Sequence, residues 1–397
     1  VRHSTERILS THGGSLPRPA DLDEMIANGA GSDVLERRLP SAVSEVVAEQ
    51  VESGLDVIND GEYVKAALGG YGGYMQHRVE GWAPAPEGTA PKRAGTGERE
   101  RRAFPGVYAS GLWFSGSGGL PRPGFATPGA IRQLAVRACV GPVKYTGQEA
   151  IAKDIEALTN ALAGREEVEG FVAALGPLSL GAGAVNQYYP SEEEYMMAVA
   201  EVVREEYKAV VDAGYIVQID EPEFATSWMF YPDYTIEEYR KYLEFCVEVI
   251  NHALEGLPEE QVRYHVCWGS GHRPHVQDVE FKHIVDLMLK IKAQAYSVEA
   301  SNVRHAHEWR VWEDVKLPDG KILVPGVVGH ATDLVEHPEL VAERLVNFAS
   351  VVGKENLQAG TDCGIGYRVG HAEVAWAKLR ALSEGCRIAS DRLWARH

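Results

Sequence analysis

Apolar stretches rich in β-branched residues alternate with helix-period stripes along most of this chain, and each apolar stretch runs into a polar cluster. An apolar run with no polar face suits a strand buried on both sides, as in a parallel sheet covered by helices. Nine runs predict strands: Ile8 to Thr11, Asp56 to Asp60, Val143 to Thr146, Phe171 to Leu175, Ile216 to Asp220, Arg263 to Cys267, Tyr296 to Ala300, Ile322 to Val328 and Leu357 to Thr361. Two helices are well marked. Ser191 stands three residues before Glu194, a capping-box spacing that opens a helix ending near Gly214. Another helix opens at His337-Pro338, puts Val341, Leu345, Phe348 and Val352 on one face, and stops at Gly353. The alternation predicts an α/β fold, a (β/α)8 TIM barrel; of the nine strands, one is surplus or lies outside it.

Residues 69 to about 128 break the rhythm. They are dense in Gly, Pro and Arg and carry the charged run from Gly97 to Arg102. A long loop-rich segment inside a compact domain is expected to be a lid, a binding segment or an oligomer arm, here an insertion folded over one end of the barrel. The 397 residues, 45% hydrophobic, are read as a single barrel domain over 1–397.

Charge narrows the partners. With 39 basic and 57 acidic residues the formal charge is −18, which disfavours nucleic acid and anionic membrane surfaces. No apolar run nears the roughly 20 residues of a spanning helix, and the first residues lack a charged leader followed by an apolar stretch, so a soluble, cytoplasmic protein is expected. Five cysteines, Cys139, Cys246, Cys267, Cys363 and Cys386, are too few and odd in number for a disulfide framework. Reduced thiols leave metal binding as their main chemical use.

Polar residues collect where the predicted strands end, the working end of a parallel barrel: His12 and Ser15, Asp60 and Glu62, Asp220 and Glu221, His265 and Cys267, Glu299, then Asp362 and Cys363. Period-two alternation turns His265 and Cys267 to one side. The proposed ligands His265, Cys267, Glu299 and Cys363 lie 2, 32 and 64 residues apart, counting 265 to 267, 267 to 299 and 299 to 363. Only a closed sheet gathers such positions. One imidazole, two thiolates and a carboxylate differ from structural zinc sets and leave room for ligand exchange. A zinc ion there would ionise a visiting thiol, and the expected reaction is attack of that thiolate on an electrophilic carbon.

The segments Thr11-His12-Gly13-Gly14-Ser15-Leu16-Pro17-Arg18, Gly54 to Glu62, Gln218-Ile219-Asp220-Glu221-Pro222, His265-Val266-Cys267, Ser297 to Ser301, Pro325-Gly326-Val327-Val328 and Asp362-Cys363-Gly364 occur in order along nearly the whole chain. In this the chain resembles the catalytic barrel of the cobalamin-independent methionine synthases and their single-barrel relatives, which include the epoxyalkane:coenzyme M transferases. The resemblance implies a zinc-dependent methyl or alkyl transferase of methionine biosynthesis, with Zn2+ on His265, Cys267, Glu299 and Cys363. It also implies that Glu62 and Asp220 hold the amino group of homocysteine, a task for which two converging carboxylates are suited. His330, one place earlier than the family's proton-donating His, is the candidate proton donor. The family's second, amino-terminal barrel, which helps hold folate, has no room in 397 residues, so the donor is expected to be methyl-folate or another alkyl compound.

Plainer roles compete at each position. Cys267 and Cys363 are small enough to be ordinary core residues. Glu62 and Asp220 could cap loops or pair with Arg. His12 and Ser15 are candidates for substrate contact, with turn duty as the alternative, and Arg18 suits a surface salt bridge. His305 and His307 are read as a solvated turn, and Cys246 as part of a helix's apolar face. The reading is therefore an enzyme acting on a small-molecule thiol, a possible homo-oligomer. The alternatives are thiol addition to an epoxide, a non-catalytic zinc or thiol-binding barrel, and a metal-free barrel like uroporphyrinogen decarboxylase.

Overall fold

A computed structural model of the protein describes residues 1–68, 73–89, 97–110, 136–270, 273–366 and 368–395. In chain order the strands are β1 (Leu9–Ser10), β2 (Val57–Ile58), β3 (Val79–Pro84), β4 (Arg137–Tyr145), β5 (Glu169–Leu175), β6 (Ala184–Asn186), β7 (Ile216–Asp220), β8 (Val262–Val266), β9 (Ala295–Glu299), β10 (Ile322–Val328) and β11 (Gln358–Thr361). Eight of them form a parallel sheet in the order β1-β11-β10-β9-β8-β7-β5-β2. Asp56 N donates to Ser10 O at 3.0 Å, which joins the two ends of that order. Read round the ring, the strands follow chain order, as successive right-handed βα units require. The fold is a (β/α)8 TIM barrel.

The surplus strand is the one predicted at Val143 to Thr146. It belongs to β4, which pairs antiparallel with β3 and parallel with β6 in a separate three-stranded sheet. The physical difference lies in burial. Every residue of β7, β8, β9 and β10 is buried, whereas Lys144 of β4 is exposed between buried Val143 and Tyr145. A strand with one wet face suits a sheet open to water on one side, not a barrel wall covered on both.

Of the insertion read over 69–128, residues 69–72, 90–96 and 111–128 lie outside the described residues. Its described parts include β3 and the helix Glu98–Ala103. That helix lies against the loops after β7 and β8: Arg99 donates to Trp228 O, Tyr231 O and Tyr234 O, and Glu100 accepts from Val276 N at 2.9 Å.

Helix signals translate directly. The helix Glu192–Asp212 is capped by Ser191, whose side chain accepts from Glu194 N. Ser191→Ala is expected to lower unfolding free energy by about 1 kcal/mol, read as a lower denaturant midpoint at unchanged slope. The helix Pro338–Val352 buries Val341, Leu345, Phe348 and Val352 and ends at Gly353, φ 86°. Among the described residues, no helix is long and apolar enough to cross a membrane.

Candidate metal centre

The turn after β1 shows what the barrel mouth demands of its backbone. A Cβ on Gly13 would lie 2.5 Å from the carbonyl carbon of Cys363, and one on Gly14, φ 139°, would lie 2.2 Å from Glu62 Oε1. The paired glycines let this turn press against both the Cys363 backbone and the Glu62 carboxylate.

His265 comes from β8, Cys267 follows β8 directly, and Cys363 stands two residues beyond β11. One ligand atom from each of the three lies within 4.8 Å of the other two. His265 and Cys267 are buried and Cys363 is half-buried. His265 Nδ1 sits 3.0 Å from Ser297 Oγ, directly across the strand pair, which fixes the ring. Its Nε2 is buried without a hydrogen-bond partner among the described residues. Such an orphaned atom beside two sulfurs is what an absent ion would leave. Imidazole and two thiols also suit zinc by ligand type. The Cys267 thiol, hydrogen-bonded to the Cys363 sulfur, holds Cys363 well below the ordinary thiol range, and the same contact pushes Cys267 up.

Glu299 falls in an adjacent group with His330 and Asp362, whose ligand atoms also lie within 4.8 Å of one another. The three-residue group around Cys267 therefore does not include it. The two groups meet through Trp268, whose N–H donates to Glu299 Oε2 at 2.9 Å. Glu299 Oε1 and His330 Nδ1, 3.8 Å apart, are both buried and without hydrogen bonds among the described residues. Burial pushes the Glu299 carboxyl well above its ordinary range and lowers His330. His330 Nε2 lies 2.8 Å from Ser270 Oγ. Asp362, by contrast, is saturated: it accepts from Ala300 N, Ser301 N, Ser301 Oγ and Asn302 N, tying the end of β11 to the loop after β9.

Glu62 and Asp220 are buried at the same mouth, and the charge of Asp220 adds to the burial that raises Glu62. Burial pushes Glu62 up to about 8 against the pull of Lys65, and pushes Asp220 to about 6 against His265 and Lys65. Glu62 is a non-glycine residue at φ 59°, a left-handed conformation kept by its surroundings. Sequence reading missed Lys65. Its buried ammonium donates to Ala173 O and stands 3.9 Å from Glu62 Oε2. Its spacing of three from Glu62, which caps the short helix Tyr63–Ala67, was the available signal.

His12 has both nitrogens engaged: Nε2 with Gln50 Oε1 at 2.8 Å, and Nδ1 accepting from Gly14 N at 3.3 Å. Burial drives its pKa down to about 3, so a neutral ring shapes the glycine turn. Ser15 is buried beside Gly364, where an added Cβ would meet Ser15 Oγ at 2.4 Å. Arg18 pairs with Asp23 at the surface.

His305 corrects the solvated-turn reading. It is buried, stacked on Trp268 at 4.3 Å, with Nε2 3.2 Å from Asp278 and Nδ1 2.6 Å from Glu308. Burial disfavours its charge, yet those two carboxylates raise it to about 10. His307, two residues on, is exposed.

Residues 136–385 match the family described as cobalamin-independent synthase, catalytic domain. The chain belongs to this family. Among its relatives is a methionine synthase of Sulfurisphaera tokodaii, 25% identical over 56% of this chain and 57% of that protein. A second methionine synthase, from Thermococcus kodakarensis, is 26% identical over 56% of this chain and 58% of its own length. The match thus spans little more than half the length of these two methionine synthases. A 2-hydroxypropyl-CoM lyase of Xanthobacter autotrophicus is 23% identical over 99% of this chain and 98% of its own. The fold is shared with a B12-independent methionine synthase from Shewanella sp. W3-18-1 solved in complex with selenomethionine, at a TM-score of 0.71 and 21% identity over 98% of this chain and 100% of that one.

Proposed function

We propose that this cobalamin-independent synthase relative is a zinc-dependent S-alkyltransferase that methylates homocysteine or a similar small amino thiol. The observation that carries the reading is the gathering of His265, Cys267 and Cys363 from two distant strand ends, with His265 Nε2 buried and unpartnered beside the sulfurs. Those three residues, with Glu299 as the fourth, would hold the ion. When bound, zinc stabilises a thiolate at neutral pH, which supplies a soft nucleophile without a strong base.

The chain's own groups do the rest. Glu62 and Asp220 take the ammonium end of the acceptor and so aim its sulfur at the donor carbon; holding both reactants in line lowers the entropic part of the barrier. Lys65 neutralises part of their charge, leaving the pair suited to a single ammonium. Burial keeps His330 neutral at neutral pH, so Nδ1 can accept the acceptor's thiol proton and return it to the leaving group. The buried walls around both groups exclude water that would compete with the thiol.

A second reading has an observation of its own. The 2-hydroxypropyl-CoM lyase relative matches almost end to end, which supports chemistry on a thiol and a strained or hydroxyalkyl carbon. A sulfonate-bearing thiol is opposed at this mouth, because ionised Asp220 would repel it and Glu62, raised to about 8, offers it no positive charge. The test is a screen of zinc-loaded protein with homocysteine and with 2-mercaptoethanesulfonate, each against methyl-folate and simple epoxides. Methylation of homocysteine is expected. Turnover only with the sulfonate thiol and an epoxide would move the reading to the second, and no turnover with any pair would favour a thiol-binding barrel.

A further inference from the structure

Among the described residues beyond Cys267, one backbone position is strained. His275 is a non-glycine residue at φ 56°, a conformation that persists only where neighbours over-determine it. Those neighbours include a buried charge from the insertion. Glu100, fully buried on the helix Glu98–Ala103, accepts from Val276 N at 2.9 Å through Oε1 and from Arg273 Nη1 at 3.3 Å through Oε2. Arg273 in turn donates to the Trp268 carbonyl and to Asp278 Oδ1, the latter at 2.7 Å. Asp278 also engages His305, the ring stacked on the Trp268 indole. Trp268 is therefore gripped on its carbonyl and on its ring face, and the indole N–H donates to Val279 O at 2.7 Å. Its backbone N–H holds Glu299 Oε2 and leaves Oε1 without a hydrogen bond among the described residues.

We infer that Glu100 is a positioning residue for the metal centre: through Arg273 and Trp268 it fixes which oxygen of Glu299 is free to bind the ion. The insertion is thereby a clamp on the Cys267 loop. A buried carboxylate facing an arginine has no use in packing alone, since an apolar pair of the same volume would serve as well or better. Its value lies in the direction it gives to donors, as groups behind metal ligands do elsewhere.

The inference rests on the zinc reading, so the test has an arm that needs no metal. In Glu100→Gln the shape is kept, but an amide N–H can face the Arg273 donors in place of an oxygen. Exchange of the Trp268 amide hydrogen in the metal-free protein is expected to quicken about tenfold relative to the parent. In the same variant zinc affinity, measured against a chelating dye, is expected to fall about tenfold, and the visible bands of the Co2+-loaded protein to shift. Arg102→Ala removes the exposed pair with Asp233 on the same helix and is expected to change none of the three. Should Glu100→Gln unfold the protein, Arg273→Lys, which keeps the charge but loses the fork that reaches both Glu100 and Trp268, supplies the same readouts. Unchanged Trp268 exchange overturns the inference, as do equal losses in Arg102→Ala and Glu100→Gln. Failure of the parent protein to bind zinc sinks the proposed function, while the exchange arm still decides whether Glu100 sets Trp268.

Discussion

Cys363→Ser is expected to lower zinc affinity by roughly 10²–10³-fold and to abolish transfer to the acceptor thiol. The magnitude follows from dividing the roughly 10–16 kcal/mol of a four-ligand zinc site among its ligands, about 2.5–4 kcal/mol each. A serine hydroxyl in place of the sulfur stays protonated and is a poor zinc ligand, so the loss approaches that of a whole ligand. Cys363 is also the sulfur that its hydrogen bond with Cys267 holds below the ordinary thiol range, so its removal takes away the more acidic thiol of the pair. A matched control separates ligation from general thiol loss. Cys139→Ser sits in the three-stranded sheet, where the sulfur donates to Gly141 O at 3.3 Å, and is expected to leave zinc affinity unaltered. Competition against a chelating dye reads both. Equal affinity in Cys363→Ser and parent would remove this residue from the centre.

Asp220→Asn is expected to raise the KM for homocysteine by roughly 10- to 150-fold, the worth of a charge-assisted hydrogen bond of about 1.5–3 kcal/mol. The KM for 4-mercaptobutyrate, the same thiol without its amine, is expected to change little. The pH profile carries the sign. Burial holds Asp220 at about 6 and Glu62 at about 8, so both are ionised only toward alkaline pH. An ammonium needs carboxylates, and binding it favours their charged forms. Affinity for homocysteine is therefore expected to climb more steeply from pH 6 to pH 8 than that for 4-mercaptobutyrate, which shares only the rise from losing its thiol proton to the ion. A KM for homocysteine that is flat across this window, or that rises with pH, would remove Glu62 and Asp220 from amine recognition.

Much of the fold could be read in advance because parallel barrel strands are buried on both faces. β7 and β10 coincide with their predicted spans, β8 and β9 each begin and end one residue earlier than predicted, and β11 begins one residue later. The one misplaced strand, Val143 to Thr146, alternates wet and dry, and the exposed Lys144 was the clue. At the site, the trio was legible since imidazole and thiols at strand ends have few other uses. Three features were hidden for distinct reasons. Asp278 and Glu308 make His305 a buried charged link, and the more distant of these partners is 27 residues away in sequence, so no local pattern exposes it. Glu299 lies one hydrogen bond from the trio instead of within it, a distance no spacing rule resolves. Glu100 acts across 173 residues on Arg273, and a charged run such as Gly97 to Arg102 ordinarily marks a solvated surface.

Zinc K-edge absorption on the purified, zinc-loaded protein tests the central claim most directly. One ion per chain with two sulfur neighbours at about 2.3 Å and light-atom neighbours near 2.0–2.2 Å is the expected spectrum. A chain that retains no zinc after dialysis, or one whose zinc shows only nitrogen and oxygen neighbours, would contradict it.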